Sequence, residues 1–351
     1  MNEMITYGVS GLLICFTVLT FLLSRIQTDV FPEDYEFKLD PFWYILALMF
    51  IGTTVIYFIF PQLPDMVGKY SYLNILVPYI FAIFIYGGYL FGSSWLTNLI
   101  TLIGVLTLSF MQPDDFMLFP GKLTLWQDRL VVALILFIIS KGMLLLNGLG
   151  AIGSMQFSAV MISGALLAYF GALPQLLGAM ALVYLGCMLA FAIFSWPPEK
   201  IIVSHGAFAT FGFLMGAYML NAATEFAEVS MIIASAFLVT EIVSALYNRY
   251  ICNNKTPELF MNTSYYRISN DGEYEIGVVR GVLKIVVINV VLALVQISAS
   301  DRLAMFVFSI ALNFWFLSVL SGDSKPEDLV SLSRWGKNLF KSIFSKKKKS
   351  D

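Results

Sequence analysis

PQLLGAMALVYLGCMLAFAIF, Pro174 to Phe194, runs for 21 residues without a charge. As an α-helix it would extend about 31 Å, the thickness of a bilayer's hydrocarbon core. A second apolar run, 155–172, precedes it, and only a turn around Gly171 and Pro174 divides the two. Further runs lie at about 8–24, 43–62, 73–92, 95–111, 130–147, 206–222, 228–247, 281–299 and 302–320. The expected architecture is an all-α polytopic integral membrane protein of about 11 transmembrane helices. Composition agrees, since 59% of residues are hydrophobic and 13% charged, about half the charge of a soluble domain. Small disulfide-stapled domains, disordered chains and ordinary cytosolic enzymes are excluded. The first run has no basic flank before it and no small-residue cleavage site after it, so it reads as a retained helix. A formal net charge of −2 leaves no global field to attract nucleic acid.

Orientation follows from the basic residues that flank the runs. Arg334, Lys337, Lys341, Lys346, Lys347, Lys348 and Lys349 follow the last crossing and place the C-terminus in the cytoplasm. With about eleven crossings the N-terminus then faces outward, and the loops 25–42, 148–154, 195–205 and 248–280 face inward. The 248–280 loop, with Arg249, Lys255, Arg267 and Arg280, fits; the acidic 25–42 loop runs against the rule. Segment 112–129 is expected at the outer face, as a hairpin around Pro120-Gly121 or as a disordered loop. Residues 1–322 form the membrane domain and 323–351 a cytoplasmic tail. Leu329, Leu332, Trp335, Leu339 and Phe344 share a helical face there, so the tail reads as an interfacial helix with a polybasic end suited to anionic lipid.

Ionisable groups at membrane depth are functional candidates. Lys141 lies near the end of the fifth run, where it either snorkels to the surface or meets a phosphate or carboxylate. Glu241 lies in the ninth run, as a packing acid or part of a polar site. His205, the one histidine, opens the eighth run and is expected to be structural. Cys15, Cys187 and Cys252 have no ligand spacing and read as buried small hydrophobes. There is no Walker loop, HExxH or paired CxxC, and no pair of interrupted helices of the kind that marks secondary transporters.

FSWPPEKIIVSHGAFATFGFLMGAYML, Phe194 to Leu220, resembles a segment of the polyprenyl-phosphate N-acetylhexosamine-1-phosphate transferases. In that superfamily an Asn-Phe-x-Pro-Ala-Lys-x-Phe-x-Gly-Asp-x-Gly-Ser stretch runs into Gly-Phe, and Pro198, Lys200, Gly212 and Phe213 fit it. LLLNGLGAIGSM (Leu144 to Met155) stands where the family has Asn-x-x-Asn-x-x-Asp-Gly-x-Asp-Gly, with Asn147 as the second Asn. FLVTEIVSALYNRY (Phe237 to Tyr250) stands where a helix carries an acid before the large inner loop. The resemblance covers about 75–320. It implies transfer of a sugar-1-phosphate from a UDP-sugar to a polyprenyl phosphate, with carboxylates holding Mg²⁺.

Carried over by position, that equipment is missing. The family's paired aspartates fall near Leu90 and Phe91, the second-motif acids on Gly150 and Gly153, and the third-motif acid on His205. The His-x-His-His element falls around 262–267, and only Glu241 persists as a helix acid. Loss of one electrostatic group from such a site costs about 10²–10³ in rate. The expectation is therefore a catalytically degenerate relative in a bacterial inner membrane, acting as a lipid-binding or assembly subunit without a cofactor. Lys141, Asn147, Lys200, His205, Arg249 and Arg267 would be remnants of the substrate groove. Expected partners are anionic lipid, polyprenyl phosphate, and a protein partner or second copy. The alternatives are an active Mg²⁺-dependent transferase with a rearranged site drawn from Asp114, Asp115, Glu199 and Glu241, and a membrane transporter.

Overall fold

The computed structural model describes residues 2–28, 40–59, 72–148, 150–197, 201, 204–225, 227–251, 263, 275–298 and 302–320. Twelve helices are seen among them: α1 Asn2–Thr28, α2 Pro41–Ile59, α3 Leu73–Leu90, α4 Ser94–Phe110, α5 Leu125–Gly142, α6 Gly150–Tyr169, α7 Gln175–Ser195, α8 His205–Ala223, α9 Glu228–Ala234, α10 Ala236–Leu246, α11 Glu275–Val295 and α12 Arg302–Leu320. The chain is an all-α, polytopic, integral membrane protein. Among the described residues eight helices are long and apolar enough to cross a membrane, and nine if α9 and α10 count as one bent span. The other two of the expected eleven, α4 and the described part of α12, are shorter apolar helices. At 17 residues α4 extends only about 25 Å, yet Trp95 stands exposed at its start, and Phe110 at its end packs 4.9 Å from the exposed Trp126. Aromatic rings at both ends of an apolar helix are what a membrane interface selects.

Local chemistry sets the helix starts. The Asp40 carboxylate accepts from Phe42 N (2.9 Å) one residue before Pro41, whose missing N–H costs nothing in a first turn. Ser93 Oγ accepts from Leu96 N (3.3 Å) at the start of α4. Thr124 and Gln127 form a capping box on α5. The α6–α7 turn falls at Phe170–Pro174, where the sequence places it.

α6, α7 and α8 lie innermost, and α1 packs along α7. A Cβ on Gly186 would stand 2.5 Å from the Leu12 carbonyl oxygen, so glycine permits the α1–α7 approach. Phe157, Phe191, Phe208 and Phe211 fill the centre, each almost fully buried. Cys15 and Cys187 are buried, as expected; Cys252 lies outside the described residues. Polar side chains join the helices where no water is available to them. Tyr79 bonds Tyr184 (3.1 Å) and Thr53 (3.2 Å), linking α3, α7 and α2. Asn289 of α11 exchanges hydrogen bonds with Asn313 of α12 (3.1 Å each) and accepts from Ser309 Oγ (3.0 Å).

The segment expected as a loop or hairpin over 112–129 runs as a series of turns over 112–124, and 125–129 already belong to α5. The ninth run is a discontinuous helix, bent by 62° between α9 and α10 at Ser235. Gln156 of α6 donates to the Ala234 carbonyl there (3.2 Å), satisfying an acceptor that the bend frees.

Candidate functional site

The starts of α2 and α8 and the ends of α3 and α5 meet at one end of the bundle. Tyr86 near the end of α3 donates to the second oxygen of Asp40 and accepts from Ser204 Oγ (3.4 Å), the residue before α8. Its ring stacks on Phe42 with centroids 4.0 Å apart and meets Trp43 edge-on at 5.0 Å. One turn further along α3, Tyr89 packs on Gly206 in the first turn of α8. Tyr89 also accepts a hydrogen bond from Lys141 Nζ (3.4 Å). The ammonium lies 5.4 Å from the Tyr89 ring centre and 5.8 Å from that of Phe137. Lys141 is half-buried, and among the described residues no carboxylate pairs with it.

This arrangement suits an anion. Aromatic faces hold a partly desolvated ammonium at about 0.5–2 kcal/mol. An ammonium carries three donors, and Tyr89 takes one. Among the described residues the others remain for a phosphate or carboxylate oxygen, which lysine binds as a point charge.

Of the neighbouring motif positions, one is filled by a ring. Gly153 of α6 is pressed against the Phe208 ring, so a carboxylate at that position would displace the ring. His205 opens α8 and is exposed. Asn147 lies in the 3₁₀ turn Met143–Gly148, its side chain outside the described part. Glu241 is fully buried in α10; its neighbours Leu238 and Ile242 pack on Gly142, beside Lys141. Arg249 is half-buried in the wide turn Tyr247–Ile251. Lys200, Glu199, Arg267 and the basic tail residues Arg334, Lys337, Lys341 and 346–349 lie outside the described residues. Among the described residues no three His, Cys, Asp or Glu side chains stand together as metal ligands.

Asp114 and Asp115 are at the opposite end, next to Arg129. Twelve residues of α5 put Arg129 about 18 Å from Lys141, so the structure does not bring these acids to the lysine or to Glu241. Asp128 and Arg129 themselves escaped the sequence reading, which assigned them to a loop. Arg129 is 2% exposed and donates through Nη2 to the carbonyls of Gln112 (3.3 Å) and Pro113 (2.5 Å), with Phe116 5.5 Å beneath it. The Asp128 carboxylate accepts from Leu118 N (3.0 Å) and Phe119 N (2.8 Å). Together they fold the 112–119 segment back over the bundle. Their one sequence signal is an adjacent acid and base at the mouth of an apolar run, where a solvated pair would look the same.

No family model matches the chain, and no curated protein matches it in sequence.

Proposed function

We propose that this protein is a catalytically degenerate relative of the polyprenyl-phosphate sugar-1-phosphate transferases, retained as a lipid-binding or assembly subunit of a bacterial inner membrane. In this reading Lys141 holds the phosphate of a polyprenyl phosphate or another anionic lipid, at the cytoplasmic end of about eleven crossings. The observation that carries it is the ammonium lodged between Tyr89 and Phe137 beside the first turn of α8, without a paired carboxylate among the described residues. An isolated cation at membrane depth is costly and is stabilised by an anion. The Phe208 ring against Gly153 supports the loss of chemistry, because it fills the position where the resemblance expects an acid. The pairing of inward-facing ends at Asp40, Tyr86, Lys141 and Ser204 supports the alternating topology on which the cytoplasmic assignment rests.

The test is equilibrium binding of undecaprenyl phosphate to the purified full chain in mild detergent. Lys141→Met is expected to weaken binding about 10- to 100-fold, the loss of one charge-assisted contact of about 1.5–3 kcal/mol. Lys141→Arg is expected to recover much of it. Equal binding by wild type and Lys141→Met would overturn the assignment.

A further inference from the structure

Two bases stand on the outer surface of α11, inside the length of that helix that is apolar enough to cross a membrane. This length runs from Ile276 to Val295, about 28 Å, close to the thickness of the hydrocarbon core. Arg280 lies about 6 Å along it and Lys284 about 12 Å. Both are exposed, and among the described residues neither has an ion-pair or hydrogen-bond partner. A cation that deep on an outward face is costly unless an anion joins it.

Four residues apart, the two bases share one face of the helix. A helical Cβ tilts toward the helix N-terminus, so both side chains reach back toward the start of α11. That start lies at the Lys141 end of the bundle. Gln296, just past the other end of α11, accepts from Ser230 Oγ of α9 (2.5 Å), whereas beyond the bend α10 packs beside Lys141 through Leu238 and Ile242. Gly277, one turn before Arg280, is exposed, and a Cβ there would meet nothing within 4 Å. The approach to the guanidinium is therefore open from the side of the helix start. Past Lys284 the same face continues as Val287, Val291 and Val295, each more than half exposed. From Lys284 to Val295 this apolar strip extends about 16 Å, half the thickness of the core.

That order of groups matches one phospholipid, with its phosphate at the bases and an acyl chain along the valines. A guanidinium forks onto phosphate oxygens and an ammonium adds a point charge. Two cations one turn apart favour a headgroup of net negative charge over a zwitterion, whose own ammonium they repel. We infer that the outer face of α11 binds one anionic phospholipid in the leaflet at the Lys141 end, its phosphate held by Arg280 and Lys284 and one acyl chain laid along Val287, Val291 and Val295. The site shares no residue with the Lys141 cluster and does not rest on the function proposed for it.

Photolabelling tests it. The full chain is reconstituted in phosphatidylethanolamine vesicles with a trace of phosphatidylglycerol carrying a diazirine in one acyl chain, and adducts are mapped by peptide mass spectrometry. Adducts over 287–295 are expected to exceed those from the same diazirine on phosphatidylethanolamine by about tenfold or more, since each base favours an anionic lipid about fivefold. Arg280→Gln and Lys284→Gln should each lower these adducts about fivefold and leave those on other helices unchanged. Lys284→Arg should preserve them, and so should Lys141→Met, which separates this site from the one at Lys141. Both bases are exposed, so their replacement disturbs no packing, and unchanged adducts elsewhere report a folded chain. Equal labelling by the two lipids, undiminished adducts in the Arg280→Gln/Lys284→Gln double variant, or no adducts over 287–295 because a second copy covers the face would each overturn the inference.

Discussion

Gly186 and Asp128 show how far single residues bear on this structure. The Leu12 carbonyl faces Gly186 so closely that any Cβ forces α1 and α7 apart. Gly186→Ala is expected to destabilise by about 1–3 kcal/mol, visible as a lowered midpoint when thermal unfolding is followed by tryptophan fluorescence in detergent. An unchanged midpoint would mean that α1 docks more loosely than described. Asp128 accepts two backbone N–H groups at once. Asp128→Ala leaves both without that partner, at about 1–3 kcal/mol for a buried donor, and should release residues 112–119 to proteolysis. A loop as resistant as wild type would show that Arg129 alone holds it.

Among the elements, the interrupted helix and the α11–α12 pair owe their geometry to side chains far apart in sequence. Gln156→Leu removes the donor to the Ala234 carbonyl at the bend and should cost about 1 kcal/mol. The Asn289–Asn313 exchange lends itself to a double-mutant cycle with leucine at either position. The expected coupling is about 0.6–1.7 kcal/mol, and additive single mutants would show that the two amides do not act as a unit. These same elements mark what could be read beforehand. Apolar runs located 73–92, 174–194 and 206–222 well, and the helices Leu73–Leu90, Gln175–Ser195 and His205–Ala223 nearly coincide with them. The bend was not legible, because Ala234-Ser235-Ala236 contains neither glycine nor proline and the partner that stabilises it lies 78 residues away. The candidate site was legible by parts only. Lys141 stood out as a charge in an apolar run, whereas Tyr89, 52 residues distant, looked like one more aromatic. Asp128 and Arg129 looked like solvent-facing charges because burial came from a loop folding back, which no local pattern announces.

At the scale of the whole molecule the account separates two ends, one gathered around Lys141 and one around Arg129. In the proposed alternating topology they face opposite sides of the membrane. Single cysteines in place of Ser204 and Asp115, both exposed, report this in a Cys252→Ser background with an impermeant maleimide. Asp115→Cys should label on intact cells and Ser204→Cys only after permeabilisation; labelling of both from one side would contradict the topology. The central claim, a lipid-phosphate site without turnover, is tested most directly by UMP release. The purified protein would be reconstituted with undecaprenyl phosphate, Mg²⁺ and a panel of UDP-N-acetylhexosamines, beside an active transferase as control. The account predicts no release where the control releases UMP readily. Chelator-sensitive UMP release by this chain would contradict it.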